Sequence, residues 1–364
     1  MAKAAFPHLP YVSLEDPEHR EFAVKDPRGF LQRYQDGAVM DEAQRVPSLF
    51  SYLQGEVDRD PRPGRFILTG SHNFLLMKEI SQTLAGRSAI LHLLPFNRSE
   101  LEEQSSPEPH SPRDLFDHPM SRFTSWELIY SGLYPRIHDR HIPPQVWLSD
   151  YIQTYLERDV RHMVQVGDLD TFARFLKLCA GRSSQQLNYS NLAMDAGIAV
   201  DTARRWISIL QASFIIFLLP PHHRNFNKRV VKTPKLYFYD TGLACRLLGF
   251  TSPNEVEQSP FRGPLFENYV VAELAKTYHH HRQTPPMFFW RDQQGHEMDV
   301  VIEDHTSLFA IEIKSSQTTS ADHFASFIWW RKISGAPNHT NLLVYGGTDR
   351  GEREGIFVRP WFSV

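Results

Sequence analysis

The sequence predicts an α/β protein in three modules, and three observations carry that expectation. Near-continuous apolar runs alternate with helical stretches over roughly the first hundred residues, the pattern of a parallel sheet covered on both faces. A helix–Gly–helix stretch followed by an apolar strand occupies the middle. A Glu-bearing helix then leads into β-rich sequence that carries Asp299 and the pair Glu312-x-Lys314. With 364 residues, 41% of them apolar, the chain has material for two or three domains. The net charge of −3 excludes a globally basic surface, so any nucleic-acid patch has to be local. Two cysteines, Cys179 and Cys245, make neither a metal quartet nor a disulfide framework and read as packing residues in a reducing cytoplasm. The longest apolar run, Phe214 to Leu219, is too short for a membrane span, and no signal-peptide apolar region follows Met1. The expected location is cytoplasmic, with no membrane partner.

The predicted elements follow in order. Strand-like runs are Tyr11 to Leu14, Ala38 to Met40, Phe66 to Leu68 and Ala89 to Leu94. The Pro/Ser-rich stretch from Glu102 to Asp114 reads as a loop. Apolar spacing predicts a helix from Trp147 to Val166 and helical sequence onward to about Ser213, then a short β region. Asp240-Thr241-Gly242 predicts the cap of a helix that ends at Leu248, before Gly249. A further helix and β-rich sequence from Met287 to Ile313 close the reading.

The stretch "AVMDEAQRV" ends an apolar strand in two adjacent carboxylates. Asp41 is placed to hold Mg²⁺ and Glu42 to polarise an attacking water, as in half of a nucleoside triphosphatase site. The next strand ends in "TGSHNF", which makes Ser71, His72 and Asn73 candidates to sense a γ-phosphate; Arg87 in "LAGR" is a candidate phosphate ligand, in cis or across a subunit boundary. Asp-Glu after a strand also commonly caps the next helix.

From Tyr189 to Leu210 the sequence reads as helix, tight turn at Gly197, helix, with Ala193, Ile198, Ala203, Trp206 and Leu210 as the packing face. Arg204 and Arg205 open the second helix, and "NKRVVKTPK" adds Lys228, Arg229, Lys232 and Lys235. A second helix in a groove beside a basic wing is how a winged helix-turn-helix binds DNA, although the same unit also serves for packing and dimerisation.

Near the C-terminus, alternation along a strand puts Glu312 and Lys314 on one face and Ile311 and Ile313 on the other. Asp299 begins a neighbouring strand, and Glu267 lies on the preceding helix "FENYVVAELAK". Glu267, Asp299 and Glu312 are together a candidate Mg²⁺ set, and Lys314 a candidate to orient or deprotonate a water for in-line attack on a phosphodiester. The alternative is an exposed strand with a same-face ion pair of small energetic value.

Motif order then adds a resemblance over essentially the whole chain. The segments "YVSLEDPEHREFAVKDPRGFL", "VMDEAQRVPSLFSYLQ", "ILTGSHNFLLMKEISQTLAGR", "LLPFNRSEL", "YLERDV", "NKRVVKTPKLYFYDTGLACRLLG", "FENYVVAEL" and "IEIKSS" resemble a bacterial and archaeal AAA+-type ATPase family fused to a C-terminal domain of unknown function. The Asp299 and Glu312-x-Lys314 pattern resembles the PD-(D/E)xK nucleases with their restriction-endonuclease-like core; the Pro that often precedes the first Asp is absent. The resemblance implies an ATPase-like core lacking Walker A at 1–145, a winged-helix module at 146–255 and a nuclease-like domain at 256–364. It implies ATP and Mg²⁺ as cofactors, and nucleic acid and further copies of the chain as partners. In that family a phosphate loop comes just before the segment that here opens "MAKAAFPHLPYVSLED", and Gly-Lys occurs nowhere in the 364 residues. The expectation is a truncated ATPase that lacks the first core strand and binds MgATP weakly or not at all; micromolar affinity by calorimetry would oppose it. Two other readings stay open: a non-catalytic DNA-binding or regulatory protein, and a Mg²⁺-dependent nuclease independent of ATP.

Overall fold

The structure, a computed structural model, describes residues 1–70, 80, 82–105, 108–109, 111–155, 169–222, 232–304, 307–335, 337 and 340–364. Two compact units divide the chain, Met1–Leu91 and His92–Val364.

The first unit holds a parallel sheet of β1 (Tyr11–Ser13), β2 (Ala38–Asp41) and β3 (Phe66–Leu68), in that order. Ala38, Val39 and Met40 are fully buried, which explains the unbroken apolar run: a central parallel strand has no solvent face. The helices Pro17–Lys25, Pro27–Arg33 and Pro47–Arg59 each start with Pro at the first helical position, where its missing N–H is no loss. Phe30, Leu49, Phe50 and Leu53 from these helices close the core over Val12 and Met40.

The run Ala89 to Leu94 is not a strand. Residues 89–94 have no regular structure, and Leu91 and Leu93 are 68% and 73% exposed. An apolar run becomes a strand only beside a partner that takes its backbone hydrogen bonds; among the described residues none pairs with it. The helix predicted from Trp147 begins earlier, spanning Pro144–Tyr155, and its expected second half lies outside the described residues.

In the second unit, Leu169–Ala180, Tyr189–Ala196 and Val200–Ala212 are helices. Asn188 caps the second through Asn191 N–H, and Gly197 ends it at φ 72°, a left-handed conformation that glycine adopts without strain. Trp206 packs edge-on against Phe172 and Phe175, and Ala193, Ala203 and Leu210 are buried beside it, as the spacing predicts. A small antiparallel sheet follows, with β4 (Gln185–Gln186), β6 (Lys235–Phe238) and β5 (Ile216–Leu219) in the order β4-β6-β5.

The helix Thr241–Leu248 starts at Asp240 and stops at Gly249, as predicted. The Asp240 carboxylate accepts from both Leu243 N–H (2.8 Å) and Leu133 N–H (2.6 Å), so one cap ties two segments together. Gly242 makes that junction possible: a Cβ there would stand 2.5 Å from the Gly132 nitrogen.

The C-terminal part is a six-stranded mixed sheet in the order β11-β12-β10-β9-β8-β7. Its strands are β7 (Met287–Arg291), β8 (Glu297–Asp304), β9 (Ser307–Lys314), β10 (Asn341–Tyr345), β11 (Gly351–Arg353) and β12 (Ile356–Pro360). Both faces are covered. Phe266, Tyr269 and Val270 of the helix Arg262–His280 share one core with Val300, Ile311 and Val344; Phe327 and Trp330 of the helix Ala325–Ser334 share another with Val301, Ala310 and Leu343. The first of these cores also takes in Trp206, Leu210 and Tyr237, so the helical middle and the C-terminal sheet pack as one body. The chain leaving β5 is stitched to β7 by His222 N–H to Phe289 C=O (2.7 Å) and Phe289 N–H to Pro220 C=O (3.0 Å).

Candidate functional site

In the first unit, Asp41 ends β2 and Glu42 follows in a left-handed conformation at φ 55°. Non-glycine residues held there are strained and cluster at functional sites. Asp41 accepts hydrogen bonds from Tyr11 Oη (2.7 Å) and from Thr69 Oγ1. That contact pushes the Tyr11 hydroxyl up to about 12, with burial and the Asp41 charge adding to it. Glu42 accepts from Gln44 Nε2 (2.8 Å). Thr69, which the sequence reading passed over, directly follows β3 and reaches Asp41; its signal was its place just after the apolar run "FIL". Ser71, His72 and Asn73 lie outside the described residues. Arg87 pairs with Asp58, donating from Nη2 to Oδ2 at 3.1 Å.

The second unit carries a cleft of about 550 Å³ lined by Lys235, Glu267, Glu297, Asp299, Glu312 and Lys314, together with Arg291 and residues 184–186. Each acidic group has its own support. Glu267 projects from the helix Arg262–His280, Asp299 from β8 and Glu312 from β9. Asp299 Oδ2 accepts Ile313 N–H at 2.8 Å, a bond from β9 to β8 that fixes the carboxylate. Glu312 pairs with Lys314 on the same strand face, as alternation requires, and its other oxygen is buried without a hydrogen-bond partner. With Glu312 only 7% exposed, the exposed-strand alternative is set aside.

Burial is the main force on these groups. It pushes Glu267 up to about 7, helped by the Asp299 charge and opposed by Lys235 and Tyr237. It pushes Glu312 up to about 8, with Asp299 adding and Lys314 opposing. For Lys314 burial works against the charge, but Asp299 and Glu312 outweigh it and hold the ammonium above its ordinary range. Displaced values with named charge partners in a cleft make these residues candidates for a functional site.

Four groups were not assigned to this site from the sequence: Lys235, Glu297 and Arg291, which line it, and Tyr237, buried behind Glu267. Lys235 was read as part of a basic wing, and that placement is corrected here. Its side chain is 4% exposed, and its Nζ stands 3.0 Å from Glu267 Oε1 and 4.0 Å from Asp299 Oδ1, with Glu297 also in contact. Tyr237, two residues on and so on the same strand face, donates to Glu267 Oε1 at 2.6 Å. Arg291 donates to Glu297 at 3.0 Å. The available signal was Lys235-x-Tyr237 inside an otherwise apolar strand, since a lysine buried in a strand needs an acidic partner.

The helix–turn–helix places Arg204 and Arg205 on the exposed side of Val200–Ala212, with the Arg204 guanidinium 4.6 Å from the centre of the Tyr189 ring. Lys232 is exposed, while Lys228 and Arg229 lie outside the described residues. Cys179 and Cys245 are both buried and free. Among the described residues, no three His, Cys, Asp or Glu side chains converge closely enough to form a ready-made metal cage, and no helix is long and apolar enough to cross a membrane.

Comparison with known proteins gives three family matches in chain order: an AAA domain over residues 1–102, and two domains of unknown function, DUF8612 over 123–254 and DUF4143 over 262–362. These support an AAA-type, ATPase-like family with a C-terminal domain of unknown function. Uncharacterised proteins of Mycobacterium bovis and Mycobacterium tuberculosis are each 31% identical over 298 residues, which is 82% of this chain and 63% of theirs. The chain therefore spans less than two thirds of the length of these relatives. No solved structure matches it.

Proposed function

We propose that the cleft of the second unit is a divalent-cation-dependent phosphodiesterase site acting on nucleic acid, carried by an ATPase-family chain. The observation that supports this most is the buried meeting of Glu267, Asp299, Glu312 and Lys314, with one Glu312 oxygen left without a partner. A buried acceptor of that kind costs about 1–3 kcal/mol unless something occupies it. Hard carboxylate oxygens suit Mg²⁺ or Mn²⁺, so the donor chemistry fits even though the cage is not closed. Asp299 and Glu312 would hold the cation, with Glu267 beside them. When bound, it supplies Lewis-acid polarisation of a phosphoryl oxygen and acidifies a water.

The protein's own groups have separate tasks in this reading. Asp299 is fixed by Ile313 N–H. Lys314, held charged beside Glu312, presents an ammonium to a phosphate oxygen and orients a water on the open side of the cleft. Arg291, 41% exposed, also lines the cleft and offers a guanidinium to a phosphate backbone. Arg204, Arg205 and Lys232 are a separate cationic surface in the same unit, consistent with a winged-helix role in holding duplex DNA through phosphate contacts. In the first unit, Asp41 with Thr69 and Tyr11 is the proposed contribution of this chain to the nucleotide and Mg²⁺ site that goes with the AAA domain match.

The test is cleavage of plasmid and of labelled oligonucleotides with Mg²⁺ or Mn²⁺. Cutting should disappear with chelator and in Asp299→Ala and Lys314→Ala. Cutting unchanged in both variants would place the activity elsewhere.

A further inference from the structure

The segment "LLPFNRSEL", Leu93 to Leu101, has no part in the cleft or in the Asp41 cluster. It falls within the AAA domain match, which runs to residue 102, yet the second unit begins at His92. The end of that match is therefore built into the body that holds the cleft.

Its polar groups are buried. Arg98 is 0% exposed, and Asn97 and Ser99 are each 2% exposed. Asn97 opens the short helix Arg98–Leu101 with a capping box: its Oδ1 accepts Glu100 N–H at 2.8 Å, and Glu100 Oε2 accepts Asn97 N–H at 3.0 Å. Arg98 N–H is one of the donors that a helix start leaves without an internal partner, and Glu273 Oε2 accepts it at 2.7 Å. Glu273 Oε1 pairs with Lys276 Nζ at 2.5 Å, and Lys276 Nζ donates to Phe96 C=O at 2.6 Å. Phe96 N–H donates to Leu133 C=O at 2.9 Å. The Arg98 guanidinium pairs with Glu102, whose carboxylate also accepts from Ser121 Oγ and Arg122 N–H.

Glu273 and Lys276 lie on the helix Arg262–His280 and are 2% and 1% exposed. Among the described residues, the bonds their side chains make outside that helix go to Phe96 and Arg98. Lifting the segment away would leave a buried anion and a buried cation short of partners, which is the costly way to break such a pair. The same helix carries Glu267 into the cleft, six residues before Glu273 and about 9 Å from it along the axis. Next to Glu267, Asn268 fastens the helix to β6, accepting from Phe238 N–H and donating to Phe238 C=O, each at 2.7 Å. The helix is thus held toward the cleft by its earlier part and toward the segment by its later part.

We infer that Leu93–Leu101 is a latch on the helix Arg262–His280, so that the seating of this segment and the order of the cleft are coupled: what loosens one loosens the other. Asn97, Glu273 and Lys276 are positioning residues for the helix that carries Glu267. The inference stands apart from the chemistry proposed for the cleft.

The experiment is hydrogen exchange read by mass spectrometry on residues 1–364. Asn97→Ala changes only the segment. It should speed exchange of residues 262–270 about fivefold or more, together with residues 94–101, as loss of a helix cap does. Asn97→Ser keeps an acceptor at the cap and should stay within about twofold of the parent. Lys276→Met changes only the helix, and it should speed exchange of residues 94–101 about tenfold or more, because coupling is reciprocal. Faster exchange confined to residues 94–101 in Asn97→Ala would overturn the inference, and this variant decides alone if Lys276→Met does not fold. Parent rates for residues 94–101 in a folded Lys276→Met would also overturn it. So would an equal rise in the helix Ala325–Ser334, on the other face of the C-terminal sheet, since the whole unit would then be loosened rather than the latch.

Discussion

Replacing Glu312 by Gln gives a stability change whose sign reverses expectation for a surface carboxylate. Glu312 is buried, and its carboxyl is pushed up to about 8 from an ordinary value near 4.5 by burial first and the Asp299 charge second. The unfolded chain gives up this proton near its ordinary value, while the folded chain keeps it until about pH 8. Between those limits the folded state binds more protons than the unfolded one, so stability falls as pH rises. The contribution is fully present below about pH 4.5 and is lost as pH passes through about 8. One unit of displacement corresponds to about 1.4 kcal/mol. Glu312 therefore accounts for a loss on the order of 5 kcal/mol across this window, and Glu267, pushed up to about 7, adds to it in the same direction. Glu312→Gln keeps the shape of the protonated side chain and cannot ionise. At pH 5 it should match the parent to within about 1 kcal/mol, and at pH 9 it should be more stable by on the order of 4 kcal/mol. Urea unfolding followed by tryptophan fluorescence is a clean assay, because all seven tryptophans lie in the unit His92–Val364. Stability curves for parent and variant that run parallel from pH 5 to pH 9 would refute the reasoning.

Three further outcomes are expected. Asp240→Ala removes the cap of Thr241–Leu248 and strands Leu133 N–H, so it should destabilise the second unit by about 2–4 kcal/mol in the same urea assay. Gly242→Ala puts a methyl 2.5 Å from the Gly132 nitrogen and should cost about 1–3 kcal/mol, with Gly249→Ala, where φ is 86° but space is open, costing less. Arg204→Ala with Arg205→Ala should weaken binding to duplex DNA and lower the slope of log affinity against log salt by about 1–2; an unchanged slope would remove those side chains from the interface.

Much of the arrangement was legible because local chemistry and tertiary need agree. Asp240 and Gly249 bracket a helix with the residues that caps require, and the apolar face Ala193, Ala203, Trp206, Leu210 is buried where its spacing puts it. Glu312 and Lys314 are paired because they are two apart on a strand. Where agreement failed, the missing information was non-local. Ala89 to Leu94 has strand composition but no partner among the described residues. Lys235 sits next to a run of cationic residues, and sequence alone assigned it to them; only the packing of β6 against the helix Arg262–His280 turns it toward Glu267. Glu297 and Arg291 were passed over because an ion pair across neighbouring strands has no signature along the chain.

The central claim is that phosphodiester chemistry takes place in the cleft formed by Glu267, Asp299, Glu312 and Lys314. The most direct measurement is the single-turnover rate of Mg²⁺-dependent cutting of an end-labelled duplex by the parent chain and by Asp299→Asn, each verified as folded by its tryptophan emission. The account predicts a measurable parent rate that falls by about a hundredfold or more in the variant, the size expected when a group acting on the transition state is lost. Equal rates in parent and variant, or no cutting by a correctly folded parent under any divalent cation, would contradict it.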